Sequence, residues 1–358
     1  MKSDLLNISD YGRAARTKLS ADVLGYYEGG ALDEITLRAN TAGWERLKLY
    51  YKVLAGVGPR ELSTTVLGQS VSMPICVAPT AFHRLACGEG EVATAKAAKA
   101  AGTLFILSSL SNTAMEKVFA ESASPKWFQL YVYKDREITK ALVQRAEAAG
   151  AEAIVLTVDA PGLGTRERDI RNNFRLPEGL AVENLAPLGK GEMPNVEGSR
   201  LAAYVRDNFK SDLGFDDLDW LCGCTRLPVV VKGICRRDDA RGAADHGAKA
   251  VVVSNHGGRQ LDTAPATCEV LPHVVEAVGD RCEVYVDGGI RRGSDVLKAI
   301  ALGARAVLIG RPVLWGLTVN GEQGATQVLE ILRRELDEAM LLCGCTTLAD
   351  IGRWVLEP

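Results

Sequence analysis

The chain has 358 residues, of which 47% are apolar and 24% are charged, and its formal net charge is −3. This composition is ordinary for a globular protein with a sizeable core, and no apolar run approaches the roughly 18 residues that a membrane span needs. Because there is no basic excess, neither nucleic acid nor a membrane is an expected partner.

Cysteine usage and the termini bear on compartment and metal binding. The nine cysteines are an odd number, and several lie inside apolar stretches such as 75–77 (ICV), which is typical of buried thiols in a reducing compartment. Two Cys-Gly-Cys triplets, at 222–224 and 343–345, are too closely spaced for the usual zinc site. The N-terminus lacks the apolar core of a secretion signal, and the C-terminus lacks a peroxisomal Ser-Lys-Leu tripeptide. We therefore expect a cytoplasmic protein without a metal.

The first 60 residues are predicted to form a helical extension. Helical patterns cover about 11–19, 21–27 and 33–44. No linker rich in Pro, Ser or Gly follows them, so we expect the extension to pack on the remainder of one domain that spans 1–358.

From residue 61 onward, short β-branched runs alternate with helical patterns. Nearly continuous apolar runs are typical of strands buried on both faces, and alternation with helices implies parallel pairing through right-handed crossovers. Eight such units predict an α/β fold, a (β/α)8 TIM barrel over 61–358. The predicted strands cover 74–79, 104–109, 127–133, 153–159, 228–232, 250–254, 283–287 and 306–310. The predicted helices cover about 88–101, 112–121, 136–149, 237–246, 268–278, 293–302 and 324–343.

An open doubly wound sheet is the competing fold. Its dinucleotide-binding form carries G-x-G-x-x-G directly after the first strand, whereas this chain has 79–83 (PTAFH) at that place. The missing motif favours the barrel.

The connection after the fourth predicted strand, 159–228, is far longer than the roughly 2–6 residues of an ordinary βα loop. Its middle is rich in Gly, Pro and Glu. We interpret about 175–225 as a lid insertion over the barrel mouth, and a disordered surface insertion is the alternative.

Polar and ionisable side chains gather where the predicted strands end, and the C-terminal ends of the strands form the active face of a barrel enzyme. Gln129 and Tyr131 lie two positions apart on one strand and therefore point the same way. The strand ends carry Thr80, Ser108, Gln129, Tyr131, Thr157, Asp159, Lys232, Ser254, His256, Asp287 and Arg311.

Glycines and arginines after the last two strands predict a phosphate site. Glycines let backbone N–H groups approach an anion, arginines neutralise it, and these two loops are the usual phosphate site of the fold. The alternative is a pair of tight turns with surface arginines. The residues are Asp287, Gly288, Gly289, Arg291, Gly310 and Arg311.

His256 is the candidate general base because it directly follows the sixth strand and histidine suits proton abstraction near neutral pH. Arg259 offers a bidentate fork for a carboxylate. Lys232 ends the fifth strand, where it could stabilise an anionic cofactor or form a Schiff base. A structural histidine and an ordinary lysine ion pair are the alternatives.

Together these motifs resemble the FMN-dependent (S)-2-hydroxy-acid oxidases, a family that includes glycolate oxidase, L-lactate oxidase and related dehydrogenases. The resemblance runs from Tyr26 to the final helix. Its most specific signature is 254–262 (SNHGGRQLD). Further matches are 128–131 (FQLY), 156–159 (LTVD), 231–233 (VKG) and 287–291 (DGGIR).

The resemblance implies an FMN that lies across the barrel mouth, with His256 as base and Asp159 stabilising its imidazolium. Lys232 would lie beside the flavin atoms where negative charge develops on reduction. The implied substrate contacts are Tyr26, Leu110, Tyr131, Arg166 and Arg259. The implied cofactor contacts are Pro79, Thr80, Ala81, Ser108, Gln129, Thr157, Lys232, Ser254, Asp287, Gly288, Gly289, Arg291, Gly310 and Arg311.

Pocket residues give a mixed indication of the substrate. Leu110 stands where plant glycolate oxidases carry tryptophan, which leaves room for a methyl or longer chain, whereas Thr80 and Val205 look more like the glycolate branch. We therefore expect use of both glycolate and L-lactate, with O₂ reduced to H₂O₂. A dehydrogenase of the same family that uses a quinone is the first alternative, and an FMN barrel without net redox chemistry is the second. The resemblance also implies a homotetramer.

Overall fold

The computed structural model describes residues 5–123, 125–196 and 199–357. Their first two strands, β1 (Thr64–Val66) and β2 (Gln69–Val71), form an antiparallel hairpin. The other eight are β3 (Ile75–Val77), β4 (Phe105–Ser108), β5 (Lys126–Leu130), β6 (Ile154–Thr157), β7 (Val229–Ile234), β8 (Ala250–Val253), β9 (Glu283–Asp287) and β10 (Ala306–Ile309). These pair in parallel, in the order β10-β3-β4-β5-β6-β7-β8-β9, and close a barrel. The predicted TIM barrel is confirmed.

The strands are buried on both faces, which is the reason for their nearly continuous apolar sequences. One face fills the barrel interior with side chains such as Cys76, Trp127 and Tyr285, and burial raises the pKa of the Cys76 thiol to about 12. Val66 and Val71 of the hairpin belong to the same cluster. The sequence patterns did not indicate this hairpin because its strands have three residues each.

Three helices form the N-terminal extension: α1 (Ile8–Arg16), α2 (Ala21–Glu28) and α3 (Ile35–Arg46). The extension packs on the barrel as expected. Tyr27 donates a hydrogen bond from its hydroxyl to the Phe82 carbonyl (2.6 Å), and the Trp44 indole N–H donates to the Gly288 carbonyl (2.8 Å). Residues 47–60 are not helical, so the helical part ends at Arg46 rather than near residue 60.

The outer layer contains α4 (Gly90–Ala100), α5 (Met115–Glu121), α6 (Arg136–Ala148), α9 (Phe215–Cys224), α10 (Arg237–Asp245), α11 (Thr267–Val278), α12 (Gly293–Ala301) and α13 (Arg311–Cys343). The last helix begins well before the predicted 324. Non-helical backbone at Asn320 and Gly321 interrupts it, and this break hid its first half from the periodicity. Within the described ranges, no helix combines the length and the apolar character that crossing a membrane requires.

The long connection after β6 holds α7 (Glu167–Arg171) and α8 (Arg200–Asn208). The predicted C-terminal boundary of the lid, at about 225, is wrong. Residues 215–224 form α9, which packs against α10 as an ordinary barrel helix. The insertion therefore ends near Gly214, and its role as a lid stays a prediction.

Candidate active site

A cavity that opens to solvent, with about 1150 Å³ of space including its mouth, lies at the C-terminal ends of the barrel strands. Most of the sequence-predicted site residues line it: Tyr26, Pro79, Thr80, Ala81, Ser108, Leu110, Tyr131, Arg166, Lys232, His256, Arg259, Asp287, Gly288, Gly289, Arg291, Gly310 and Arg311.

Four predicted site residues do not line this cavity but hydrogen-bond to residues near it. Asp159 accepts from His256, and the Ser254 hydroxyl accepts from Lys232 (2.9 Å). The Gln129 amide accepts from the Ser108 hydroxyl (3.1 Å) and donates to the Thr157 hydroxyl (3.0 Å). They therefore form a supporting layer behind the cavity wall.

His256 and Asp159 form the candidate acid–base pair. His256 Nδ1 lies 2.8 Å from Asp159 Oδ1, and the Ser254 hydroxyl accepts from the His256 backbone N–H (3.1 Å). Burial lowers the pKa of His256, although the Asp159 charge opposes that shift. Burial raises the pKa of Asp159, but the His256 charge and hydrogen bond outweigh it and the net pKa is lowered. Near neutral pH the pair therefore consists of a neutral His256 imidazole hydrogen-bonded to an ionised Asp159 carboxylate.

The turn at the start of the 254–262 segment aims His256 at the cavity. His256 has a φ of 56°, and Gly257 and Gly258 have φ values of 64° and 76°. Left-handed backbone is rare for a non-glycine residue and is found where surrounding contacts enforce it, commonly at functional sites. The two glycines allow the chain to leave this turn.

Lys232 is a buried cation with a carboxylate partner. Its ammonium lies 3.0 Å from Asp287 Oδ2. Burial lowers the pKa of Lys232, but the charges of Asp287 and Asp159 outweigh this and raise it overall. The lysine is therefore protonated, which excludes the Schiff-base alternative near neutral pH because a nucleophilic amine must be neutral.

Two arginines face the His256 side of the cavity. Arg259 donates to the carbonyls of Tyr26 (2.5 Å) and Gly29 (2.9 Å), and its guanidinium lies 5.0 Å from the centre of the Tyr26 ring. Arg166 is 5% exposed and donates to the Arg259 carbonyl (3.3 Å). Burial and the charge of Arg259 lower the pKa of Arg166 to about 10.

Two further arginines face the loops after β9 and β10. Arg311 donates to the carbonyls of Tyr27, Gly29 and Gly257 at 2.9–3.0 Å. Arg291 donates to the Ile290 carbonyl (2.8 Å), and burial lowers its pKa to about 10. Burial, followed by repulsion from three other arginines, lowers the pKa of Arg311 well below its ordinary value.

The cavity wall carries an excess of positive charge. Four arginines and one lysine line it, against one carboxylate, Asp287. The hydrogen bonds described for these arginines go to backbone carbonyls, so their charges stay available to a ligand. A buried cluster of guanidinium groups is a site for phosphate and carboxylate groups. The donor set thus fits a ligand with a phosphate at one end and a carboxylate near His256.

Leucine, valine and aromatic side chains form the wall beside Leu110 and Tyr131. Phe209 stacks on Tyr131 with ring centres 4.5 Å apart, and Phe174 stacks on Tyr26 at 4.2 Å. The long connection also supplies Leu163, Leu201, Val205 and Phe209 to the wall. Sequence reasoning named only Val205 among these. The helical spacing of Leu201 and Val205 in α8 was the signal that could have revealed Leu201, whereas no local pattern indicated Leu163 or Phe209.

The described residues contain no group of three or more His, Cys, Asp or Glu side chains that could hold a metal ion. The cysteines of both Cys-Gly-Cys triplets are free.

Together, barrel and site define an enzyme of the α/β-barrel class that binds a phosphate-bearing cofactor. The family described as FMN-dependent dehydrogenase matches residues 15–358, and the chain belongs to this family. It is 52% identical over 355 residues to an L-lactate oxidase from Nostoc sp., covering 98% of this chain and 97% of that protein. It is 48% identical to human 2-hydroxyacid oxidase 1, covering 99% and 96%.

Solved structures agree with this assignment. A mandelate oxidase with (S)-4-hydroxymandelic acid superposes with a TM-score of 0.93 at 41% identity, covering 97% of this chain and 98% of that one. The cofactor of the chain is FMN. The arginine-rich cavity fits its phosphate, and the protonated Lys232 fits a ring system that gains negative charge on reduction.

Proposed function

We propose that the protein oxidises short (S)-2-hydroxy acids, L-lactate and glycolate, to 2-oxo acids and reduces O₂ to H₂O₂. The observation that carries the proposal is the His256–Asp159 pair in one cavity with Arg259 and Arg166. A base and a carboxylate site are the two features that a 2-hydroxy acid requires. Oxidases of such acids among the relatives support the reaction type.

In this proposal the substrate carboxylate binds between Arg259 and Arg166. Tyr26 lies against Arg259 and completes that contact. The Tyr131 hydroxyl contacts the substrate oxygen at C2, and burial followed by the Asp159 charge raises the pKa of Tyr131. This tyrosine therefore acts as a neutral hydrogen-bond donor.

His256 accepts the proton that leaves the substrate. Because ionised Asp159 accepts from Nδ1–H, the free lone pair of the neutral imidazole is on Nε2. Asp159 then stabilises the imidazolium, as the lowered pKa of its carboxyl indicates. General bases of this kind contribute about 10²- to 10⁴-fold in rate.

The remaining predicted residues would hold FMN, which supplies two-electron redox chemistry when bound. Arg291, Arg311, Gly289 and Gly310 would hold the phosphate. Lys232, fixed by Asp287, would stabilise negative charge on the reduced ring. The other contacts would come from Pro79, Thr80, Ala81, Ser108 and Gly288. The predicted contacts Gln129, Thr157 and Ser254 would act from behind the cavity wall, through their hydrogen bonds to one another and to Ser108 and Lys232.

Leu110 would contact the substrate side chain. Its leucine side chain leaves room for the methyl group of L-lactate, and one methyl changes binding by only about 1–3 kcal/mol. Overlapping use of glycolate and L-lactate is the expected result. Electron transfer to a quinone is not favoured, because the similar curated proteins named above are oxidases.

The test of this function measures kcat/KM for glycolate and for L-lactate, together with the H₂O₂ formed per acid consumed. We expect activity on both acids and one H₂O₂ per acid in air. Activity on neither acid would overturn the proposal, and turnover only with an added quinone would favour the dehydrogenase.

The assembly and location belong to the same proposal. Nine free cysteines fit a reducing compartment and support a cytoplasmic location. We propose a single domain over 1–358 that assembles as a homotetramer.

A further inference from the structure

The connection between β4 and α5, residues 109–114, carries Leu110 into the cavity. Residues 109–113 are buried, although they belong to no helix or strand. Buried backbone groups outside regular structure need partners from elsewhere in the fold. The residues that supply those partners therefore determine where Leu110 lies.

Glu91, in the first turn of α4, supplies partners to this connection. Its carboxylate is fully buried and accepts from the Asn112 backbone N–H (2.9 Å) and the Thr113 hydroxyl (2.9 Å). It also accepts from the backbone N–H of His83, after β3 (3.0 Å). Glu91 thus ties two neighbouring strand-end loops together.

Asn184, from the long connection, supplies partners to the same segment. Its side chain is fully buried. Oδ1 accepts from the Met115 N–H (2.8 Å), and Nδ2 donates to the carbonyls of Ser108 and Ser109 (both 3.3 Å). Helix α5 begins after Ala114, which has no capping side chain, so Asn184 supplies the missing N-terminal acceptor across 69 residues of sequence. One amide therefore joins both ends of the connection.

The neighbours of Asn184 strengthen this anchor. The Glu183 N–H donates to the Ser111 carbonyl (3.0 Å), and the Asn112 side chain donates to the Ala181 carbonyl (2.8 Å). The long connection that contains this anchor also supplies Leu163, Leu201 and Val205 to the cavity wall. Asn184 therefore joins the two parts of the chain that form the side-chain pocket.

We propose that Asn184 is a positioning residue that sets side-chain selectivity by fixing Leu110 against the wall from the long connection. This inference rests on the proposed function, because it takes Leu110 as the contact of the substrate side chain. Asn184 does not line the cavity, so its effect acts through Leu110 rather than on the chemistry at His256.

The experiment compares Asn184→Asp with Asn173→Asp, the same change at an exposed position of the same connection. The Asn184→Asp side chain would keep the acceptor for the Met115 N–H but place an oxygen against two carbonyls. The readouts are kcat and KM for glycolate, L-lactate and L-2-hydroxybutyrate, and the FMN content. We expect Asn184→Asp to raise the ratio of kcat/KM for 2-hydroxybutyrate over glycolate about fivefold or more, mainly through KM. FMN content and the control should match the wild type.

A ratio within twofold of wild type, or an equal loss on all three acids, overturns the proposal. If the aspartate variant does not fold, the test uses Asn184→Ser, which replaces the amide with a single hydroxyl. In a Leu110→Ala background the effect of Asn184→Asp on the ratio should disappear, and its persistence also overturns the proposal. Failure of the proposed function is distinct, since the wild type would then be inactive on all three acids.

Discussion

The protonation state of His256 is the central variable at the level of single residues. Burial lowers its pKa below the ordinary 6.5, and Asp159 opposes that shift. A base is competent only when deprotonated, so the active form exists above this lowered pKa. The arrangement keeps the imidazole neutral at physiological pH and still provides a carboxylate for the imidazolium that forms during turnover.

The pH profile tests this account. We expect kcat/KM for L-lactate to be constant near pH 7 and to fall as the pH drops through a value below 6.5. Asp159→Asn removes the charge that raises the His256 pKa, so the acid limb should move to lower pH while kcat falls roughly 10²- to 10⁴-fold. Asp219→Asn is the matched control, because it removes the carboxylate charge from an exposed Asp–His pair with His246. An acid limb above 6.5, or one that moves upward in Asp159→Asn, contradicts the assignment.

The phosphate site can be tested with two adjacent arginines. Arg291 is partly buried in the cavity wall, whereas Arg292 is half exposed in a surface pair with Glu335. Charge-assisted hydrogen bonds contribute about 1.5–3 kcal/mol, so Arg291→Met should weaken FMN binding about 10- to 100-fold. Arg292→Met should leave the Kd within about threefold, because surface pairs contribute little. Equal Kd values for the two variants, measured by flavin fluorescence quenching, would remove Arg291 from the phosphate site.

At the scale of elements, the end of β7 shows how strand geometry builds the site. The pairing of β7 with β8 shifts register between Lys232 and Ile234, and Gly233 between them has a φ of 114°. A Cβ at Gly233 would lie 2.6 Å from the Asp159 Cβ. The bulge therefore brings the Asp159 backbone close to β7 while Lys232 points into the cavity.

Gly233→Ala should displace Asp159 and strain the bulge. We expect the free energy of unfolding to fall by about 1–3 kcal/mol and kcat to decrease. Gly58→Ala is the control, because nothing lies within 4 Å of its added Cβ. That control should be neutral or stabilising by up to about 1 kcal/mol, since alanine restricts the unfolded chain. Unchanged stability and kcat in Gly233→Ala, by denaturant titration and assay, would show that the bulge tolerates a side chain.

The sequence predicted those elements of the fold that a local sequence pattern encodes. The eight barrel strands and the cavity residues at their ends followed from apolar runs and from a specific motif resemblance. The strands of the β1–β2 hairpin were too short to give a recognisable sequence pattern. Asn320 and Gly321 interrupt the helical periodicity of α13, so its first half was not predicted. Asn184 was invisible because its partners lie 69–76 residues away in sequence, and no local pattern encodes such contacts.

At the scale of the whole molecule, the barrel and the N-terminal extension share one site. The extension contributes Tyr26, and its backbone carbonyls at Tyr26, Tyr27 and Gly29 hold Arg259 and Arg311. Because both parts of the chain line the positively charged cavity, FMN bound there would contact both of them. A ligand that binds only the folded state at 100 times its Kd stabilises it by about 2.7 kcal/mol.

The most direct test is the anaerobic visible spectrum of the purified FMN-bound protein after addition of L-lactate or glycolate, followed by air. We expect the yellow absorbance to bleach with either acid, which reports two-electron reduction of the flavin, and to return when O₂ is admitted. A spectrum that stays unchanged with both acids would contradict the account.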